Sequence, residues 1–409
     1  MEHTMFSVPV HTGTHLEAEA VTSLYHALQE LPDPRRKQGQ RYALAVILTL
    51  VILAKLAGEQ TMSGVTDWVR HRGPDLAQRL GVSRGRMPCQ TTYSTVLARV
   101  DGQYLDALLR AFFVRWEAES RCGTEPSRLQ TKACHADHRH LALDGKTIRA
   151  TTSQPHPVHQ LSCYEVATGI VLWHRNVGQK ENEISALKPL LTSESVTGRI
   201  LTLDAMHTQR DMCTQVQQLR GHYILLAKEN QPTLRADIAD LLEDPKPDRR
   251  RWQEAETWNK AHGRLEHRHI LCSPDLNDWF SKEWAGIAQV FRLERTVRLL
   301  HTNSLRQEVV YGLSNLSLRQ APPARTLRLV RAHWAIENRL HHRRDVSLGE
   351  DACQTRTGPV PSLLAQLNST VLSLLDRVGV RNVARQMRYF DAHVDQALAL
   401  LLTGSCSVY

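Results

Sequence analysis

Paired cysteines are missing from this 409-residue chain. Its eight cysteines (Cys89, Cys122, Cys134, Cys163, Cys213, Cys272, Cys353 and Cys406) are scattered, and no two stand at a two-residue spacing. That excludes a disulfide framework and reads as reduced thiols in a cytosolic protein, with no secretory leader expected ahead of them. Long apolar runs are missing too. The longest, Ala43 to Ala54, has 12 residues, whereas a membrane span needs about 20, so a buried core helix and no membrane partner are expected. Cys122, Cys134, His135, His138 and His140 invite a zinc reading, but no pair has a finger spacing and the segment runs into an apolar strand, which argues against it. No serine, cysteine or histidine nucleophile stands out either.

What is present is ordinary globular composition with a basic excess. Apolar residues make up 42% and charged residues 23%, which suits two or three folded domains and excludes disorder as the starting assumption. Lys and Arg outnumber Asp and Glu by 51 to 42, a formal charge of +9, and 21 histidines add to it near an anion. A polyanionic partner is consistent with that balance, as is a moderately basic protein of any other kind.

Along the chain, residues 1–20 show no periodicity and read as a loose leader. Residues 21–119 follow a helical pattern, an all-α N-terminal domain expected to bind DNA. Within it, Asp75 to Val100 reads as a short helix, a glycine turn and a second helix opening on Gln90, Thr91, Thr92 and Tyr93. A helix-turn-helix would put that polar turn in a major groove, with Arg84 and Arg86 free to meet phosphates; an ordinary helical hairpin fits the pattern as well. A polar linker follows at 120–139. From 140 to 230 strands and helices alternate, with a hairpin signal at Thr168 and Gly169, which describes a mixed α/β sheet flanked by helices. Residues 231–325 interrupt that rhythm with antiparallel, period-two strands carrying Arg264, Arg268, Arg292, Arg295 and Arg298, either a phosphate track or a solvated face. Helices resume at 326–378, including one read from Thr326 to Leu348, before a tail at 379–409.

The chemistry is expected from three acids. Two apolar strands end in aspartates, Asp144 in LALDGK and Asp204 in LTLDAM, which places both carboxylates at a sheet rim where open sheets carry their sites. A third acid should come from a helix crossing that rim. At about 100° per residue from Ile336, Leu329, Ala332 and Leu340 form an apolar stripe, with Glu337 at its border near about 100°, Arg344 near about 80° and His341 near about 140°. Glu337 can therefore point along the sheet toward the strand ends, or form a surface salt bridge with Arg339 or Arg344. Three converging carboxylates repel one another unless divalent metal neutralises them. Oxygen ligation suits two Mg2+ or Mn2+ ions that assist in-line phosphoryl displacement.

These residues carry a resemblance. DGKTIR (144–149), QKENEISALKPLL (179–191), ILTLDAMHTQ (200–209), GHYILLAKENQPTL (221–234), HGRLEHR (262–268) and HWAIENRLHHRRDVSLGEDACQTRTG (333–358) resemble DDE transposases of bacterial insertion sequences, in the H-repeat-associated branch. The run LPDPRRKQGQRYALAVILTLVILAKLAG resembles that family's associated N-terminal domain, so coverage runs from about residue 24 to 378. The resemblance implies a ribonuclease-H-like core with Asp144, Asp204 and Glu337 as catalytic and metal-binding triad, and a β-rich insertion between the second and third acids. It also implies two magnesium ions, cleavage of double-stranded DNA at element ends with strand transfer, and a homodimer on paired ends. A cytoplasmic, nucleoid-associated enzyme follows. A domesticated DNA-binding protein that has lost the chemistry and a nuclease that cuts without joining are its rivals.

The family helix often has a tyrosine seven before the glutamate, an arginine four before it and a lysine seven after it; here those positions are Val330, His333 and Arg344. Arg344 keeps a cation for phosphate, and Val330 cannot donate a hydrogen bond. Lys146 is within reach of a phosphate or is a solvated lysine. Asn338 and His341 would orient scissile phosphate or metal water, or are surface groups, and Trp334 is a stacking platform or a packing anchor. Glu350 and Asp351 are rivals to Glu337 as third ligand.

Overall fold

A helix apolar on every side has to be buried on every side, and Leu44–Leu56 shows this: all thirteen of its residues are buried, Lys55 included. The structure is a computed structural model that describes residues 23–82, 85–122, 140–244, 248–275, 277–280, 282–356 and 358–409. The expected leader (1–20), Arg84 and most of the 120–139 linker with its Cys134, His135 and His138 lie outside those residues. The chain divides into two compact units. One is helical and takes the described residues before the linker, residues 148–155 and Arg343–Tyr409; the other takes His140–Thr147 and His156–His342.

In the helical unit, the helices Leu24–Gln29, Met62–His71, Val360–Arg377, Val383–Ala392 and Val394–Thr403 pack around Leu44–Leu56. Residues 37–56 are the stretch among the described residues long and apolar enough to cross a membrane, and 78% of that window is buried inside the protein. The expected hairpin exists as helices Gly73–Arg79 and Gln90–Leu97, with Arg86 exposed between them. Tyr93, however, is fully buried, so the polar turn offers Gln90, Thr91 and Thr92 at most. Grouping 343–378 here differs from the sequence division, which gave that segment to the sheet; its leucine-rich helix buries sixteen residues in helical surroundings.

The second unit is one nine-stranded sheet. Its strands are β1 (His140–Thr147), β2 (His159–Glu165), β3 (Ile170–Asn176), β4 (Ile200–Leu203), β5 (His222–Ala227), β6 (Gln253–Ala261), β7 (Arg264–Ser273), β8 (Gln289–Leu299) and β9 (Leu305–Ser314), in the order β3-β2-β1-β4-β5-β9-β8-β7-β6. β1, β4 and β5 run parallel, β1 to β3 form antiparallel pairs, and β6 to β9 form an antiparallel meander. The hairpin between β2 and β3 turns at Gly169, whose φ is 78°, a backbone state that suits glycine. The strands expected as an interruption continue the core sheet, because β9 pairs antiparallel with β5. β6 was not foreseen. At the junction, a Cβ on Gly312 would lie 2.5 Å from the Leu225 carbonyl oxygen and closer still to Phe291, so glycine is what lets β5, β8 and β9 close.

The helix Pro323–His333 lies on the sheet and buries Leu327, Leu329 and Val330 against Ile224, Ile270, Phe291 and Leu293. The expected single helix from Thr326 to Leu348 is interrupted. Ile336–His341 is a π-helical turn, in which the His342 amide bonds the Glu337 carbonyl, before a short α-helix His342–Val346. An i→i+5 ladder holds more residues per turn than the roughly 3.6 of an α-helix, so angular positions reckoned at one fixed step drift across it.

Candidate acidic site at the strand ends

β1 and β4 are parallel, and their register pairs Leu143 with Leu203. The next residue in each strand is therefore the aspartate, and Asp144 and Asp204 emerge side by side at one sheet edge. Asp204 ends β4 by capping the following turn: its Oδ1 accepts from the Ala205 amide at 2.8 Å. Lys228, just past the end of β5, brings Nζ to 4.0 Å from Asp204 Oδ1. The sequence reading missed Lys228, although a lysine at the carboxyl end of the parallel strand next to an acid-bearing one is a usable signal.

Glu337 arrives on the π-turn. His341 lies between the acids, with Nδ1 3.4 Å from Asp144 Oδ2 and 3.6 Å from Glu337 Oε2. One ligand atom from each of Asp144, Glu337 and His341 falls within 4.8 Å of the others. The two carboxyls are driven apart electrostatically. Burial pushes Asp144 above the ordinary carboxylate range, whereas the hydrogen bond from His341 brings Glu337 down to about 2. Lys146 also acts on Glu337 in that direction.

A cavity of about 240 Å3 opens here, and its walls include Asp144, Asp204, Glu337, Lys228, His333 and Trp334. All three acids line this cavity, Asp204 standing outside the cluster of Asp144, Glu337 and His341, and all three act on His333. Burial lowers its pKa, and Asp144, Asp204 and Glu337 each oppose that shift. Its Nδ1 meets Thr202 Oγ1 at 3.1 Å, and the same hydroxyl meets Nε2 of His140 at 2.7 Å. Burial pushes His140 down to about 3; it is a neutral core imidazole hydrogen-bonded within the sheet, which gives the zinc reading no support at this residue.

Another carboxylate, also missed from sequence, ties β2 to the turn that follows Asp204. Glu183 accepts from His159 of β2 at 2.6 Å and from His207, three residues after Asp204, at 3.2 Å. These bonds, His159 first, hold its pKa down to about 2. A Cβ on Gly145 would come within 2.7 Å of Glu183 Oε1 and nearer still to His159 Nε2, so the residue after Asp144 has to be glycine for this brace to form.

Other expectations are corrected. Arg344 does not face phosphate. It is fully buried and donates Nε and Nη2 to Glu350 at 2.9 and 2.7 Å, and Asn368 donates to the same carboxylate at 2.9 Å. A buried guanidinium needs such a partner. Glu350 is thereby committed as a structural counter-ion instead of a third ligand, and Asp351 pairs with Arg149 at 3.2 Å. Trp334 is 63% exposed, which removes it as a packing anchor.

The strand arginines divide between the two sheet faces. Arg264, Arg268 and Arg295 line a groove of about 430 Å3 with Arg331, Trp334 and Asn338, and this groove shares Lys228, Val330 and Trp334 with the acid cavity. Arg292 lies on the opposite strand parity and pairs with Glu294 at 2.9 Å; Arg298 shares that parity. Glu266 takes up Arg268 and Arg295 at 2.6 and 2.5 Å, and Glu308, which lines the groove, stands 3.5 Å from Arg295.

The chain is 28% identical over 390 residues to the H repeat-associated putative transposase YhhI of Escherichia coli, covering 92% of this chain and 96% of that one. It is equally similar, over the same shares, to the putative protein YbfL of the same organism. A chain in a cryo-EM structure titled as a piggyBac transposase synaptic complex with hairpin DNA covers 93% of this chain and 78% of its own length, at 12% identity and a TM-score of 0.41, too low to bear on the fold. Residues 25–113 match the DDE_Tnp_1-associated family model. Residues 135–368 match the Transposase DDE domain, and this chain belongs to that family of DNA transposases.

Proposed function

We propose that the protein is a DDE transposase that cleaves double-stranded DNA at the ends of an insertion element and transfers the cut strand into a target, with Asp144, Asp204 and Glu337 as its catalytic carboxylates. The observation that carries the reading is that all three acids, one from β1, one just past β4 and one from the π-turn, line one cavity. The order β3-β2-β1-β4-β5, with β2 antiparallel to its neighbours and β4 and β5 parallel to β1, supports a ribonuclease-H-like core.

The residues present suit divalent metal. Asp144 is raised by burial beside a second carboxylate, a strain that a cation relieves, and the carboxylates of Asp144 and Glu337 in the cluster with His341 offer the oxygen donors that suit Mg2+ or Mn2+. Asp144, Asp204 and Glu337 would hold two such ions, which when bound stabilise charge on the attacking and leaving oxygens of a phosphoryl displacement. The chain's own groups then have separate tasks. Lys228 and Lys146 supply positive charge at the cavity and at Glu337, His341 holds Asp144 and Glu337 together, and Asn338 and exposed Trp334 line the adjoining groove, where Trp334 can stack on a base. A homodimer on paired ends follows from the same reading.

The test incubates the protein with linear DNA carrying terminal repeats of the element, in Mg2+ and separately in Ca2+. Joined products in Mg2+ that disappear in Asp204→Ala are expected. Cuts without joining would assign a nuclease, and metal-independent binding without cleavage would overturn both activities.

A further inference from the structure

The helical unit carries its own cationic surface, which takes in Thr91 and Thr92 of the expected hairpin and a loop not assigned above. Its centre is the loop 33–42, which is built around a buried guanidinium. Arg35 donates Nε and Nη2 to the two Asp33 carboxylate oxygens at 2.8 and 2.6 Å, and Nη2 and Nη1 to the Tyr42 and Gly39 carbonyls at 2.6 and 3.4 Å; Gln40 Nε2 donates back to the Arg35 carbonyl at 2.8 Å. Arg35 is 8% exposed, so these bonds fix the loop from inside.

The loop so fixed turns Arg36, Lys37 and Arg41 outward, and all three are exposed. It forms a ridge between two clefts. One, of about 680 Å3, lies against the helix Gln90–Leu97 and is lined by Arg36, Gln38, Thr91, Thr92, Thr95 and Arg99 among others; the second, of about 650 Å3, is lined on its polar side by Lys37, Gln40 and Arg41. Among the described residues no acid lines either cleft. Among the described residues Arg36, Lys37 and Arg99 have no ion-pair partner. Like charges held close on a rigid loop repel one another, and using a buried arginine to hold them outward makes sense when an anion neutralises them.

We propose that this ridge is a second DNA-contacting surface, on which Arg36, Lys37, Arg41 and Arg99 take the phosphates of B-form duplex while Thr91, Thr92 and Thr95 lie against the groove. The proposal rests on the transposase reading for its partner. A helix face of hydroxyls suits a major groove that admits a helix, whereas the A-form RNA groove is too narrow for one. A membrane-binding surface would combine its cations with exposed apolar side chains, and Val46, Leu80 and Val96 in these clefts are buried.

The experiment measures binding of full-length protein to a fluorescent 30-base-pair duplex, without divalent metal, between about 50 and 200 mM salt. It compares wild type with Arg36→Ala/Lys37→Ala/Arg99→Ala and with a charge-matched control, Arg249→Ala/Arg250→Ala/Arg251→Ala. Every phosphate that the protein no longer neutralises lowers the slope of log K against log salt by about 0.9. The first variant is expected to lose about 1 to 3 units of slope and at least about tenfold in affinity at 100 mM salt, with its melting temperature unchanged, while the control keeps the wild-type slope. Equal slopes in wild type and variant overturn the proposal and leave the transposase reading standing. Tighter binding to A-form RNA or anionic vesicles, abolished by the same substitutions, overturns the choice of partner. Wild type that binds no duplex at all overturns both readings.

Discussion

At the residue scale, three side chains that the sequence ranks poorly separate chemistry from support. Arg344 and Glu350 lie in the acid-bearing segment of the chain, yet both are buried and bonded to each other. Removing Arg344 takes the guanidinium from a buried carboxylate, so Arg344→Ala should destabilise the protein by about 3 to 5 kcal/mol, measured by denaturant unfolding, while duplex affinity of the folded fraction stays at the wild-type value. Glu183 is the opposite case, a residue absent from the triad yet attached through His159 to β2, the strand next to Asp144's, and through His207 to the turn after Asp204. Its folded pKa is depressed, to about 2, so its ionised form stabilises the fold at pH above the unfolded carboxylate value of about 4.3, and that contribution is lost as pH falls through the folded value. The difference in melting temperature between wild type and Glu183→Gln should be full at pH 6 and shrink on the way to pH 2. A difference that stays constant across that range would rule out the ionised brace.

At the element scale, two local irregularities decide where functional groups stand. The π-turn at Ile336–His341 widens the helix just where Glu337 and His341 must both meet Asp144, and such turns recur at functional sites. Helical periodicity put Glu337 at the edge of the apolar stripe. It could not foresee the turn, because an added backbone residue per turn leaves no mark in a hydrophobic pattern. Gly312 is the second irregularity. Gly312→Ala should drive Phe291 and the Leu225 carbonyl apart and cost about 1 to 3 kcal/mol or more as an overpacking change. Hydrogen exchange of the β5 and β9 amides reads this directly: faster exchange confined to that junction is expected, and unchanged protection there would show that the sheet accommodates a side chain.

At the scale of the whole molecule, the formal charge is +9, and basic side chains line two surfaces, the groove beside the acid cavity and the ridge of the helical unit. A ligand that binds only the folded state raises the melting temperature. Adding Mn2+ should therefore stabilise wild type, and the increase should disappear in Asp144→Asn; an equal increase in both would place the metal elsewhere. Much of this organisation is legible without coordinates. The apolar strand residues before Asp144 and Asp204, the hairpin at Gly169, the helical N-terminal segment and the motifs of the transposase family are local patterns, although β1 runs on past Asp144 to Thr147; local patterns are set by backbone preference and burial periodicity. What only the tertiary structure decided involves residues far apart in sequence. It decided that Arg344 turns inward to Glu350, that Lys228 stands beside Asp204, that Glu183 joins His159 to His207, and that the strands after residue 252 extend the core sheet through β9 and β5. A charged residue's partner is chosen by which strands and helices lie side by side, and that is fixed by long-range pairing and close packing, which no run of neighbouring residues encodes.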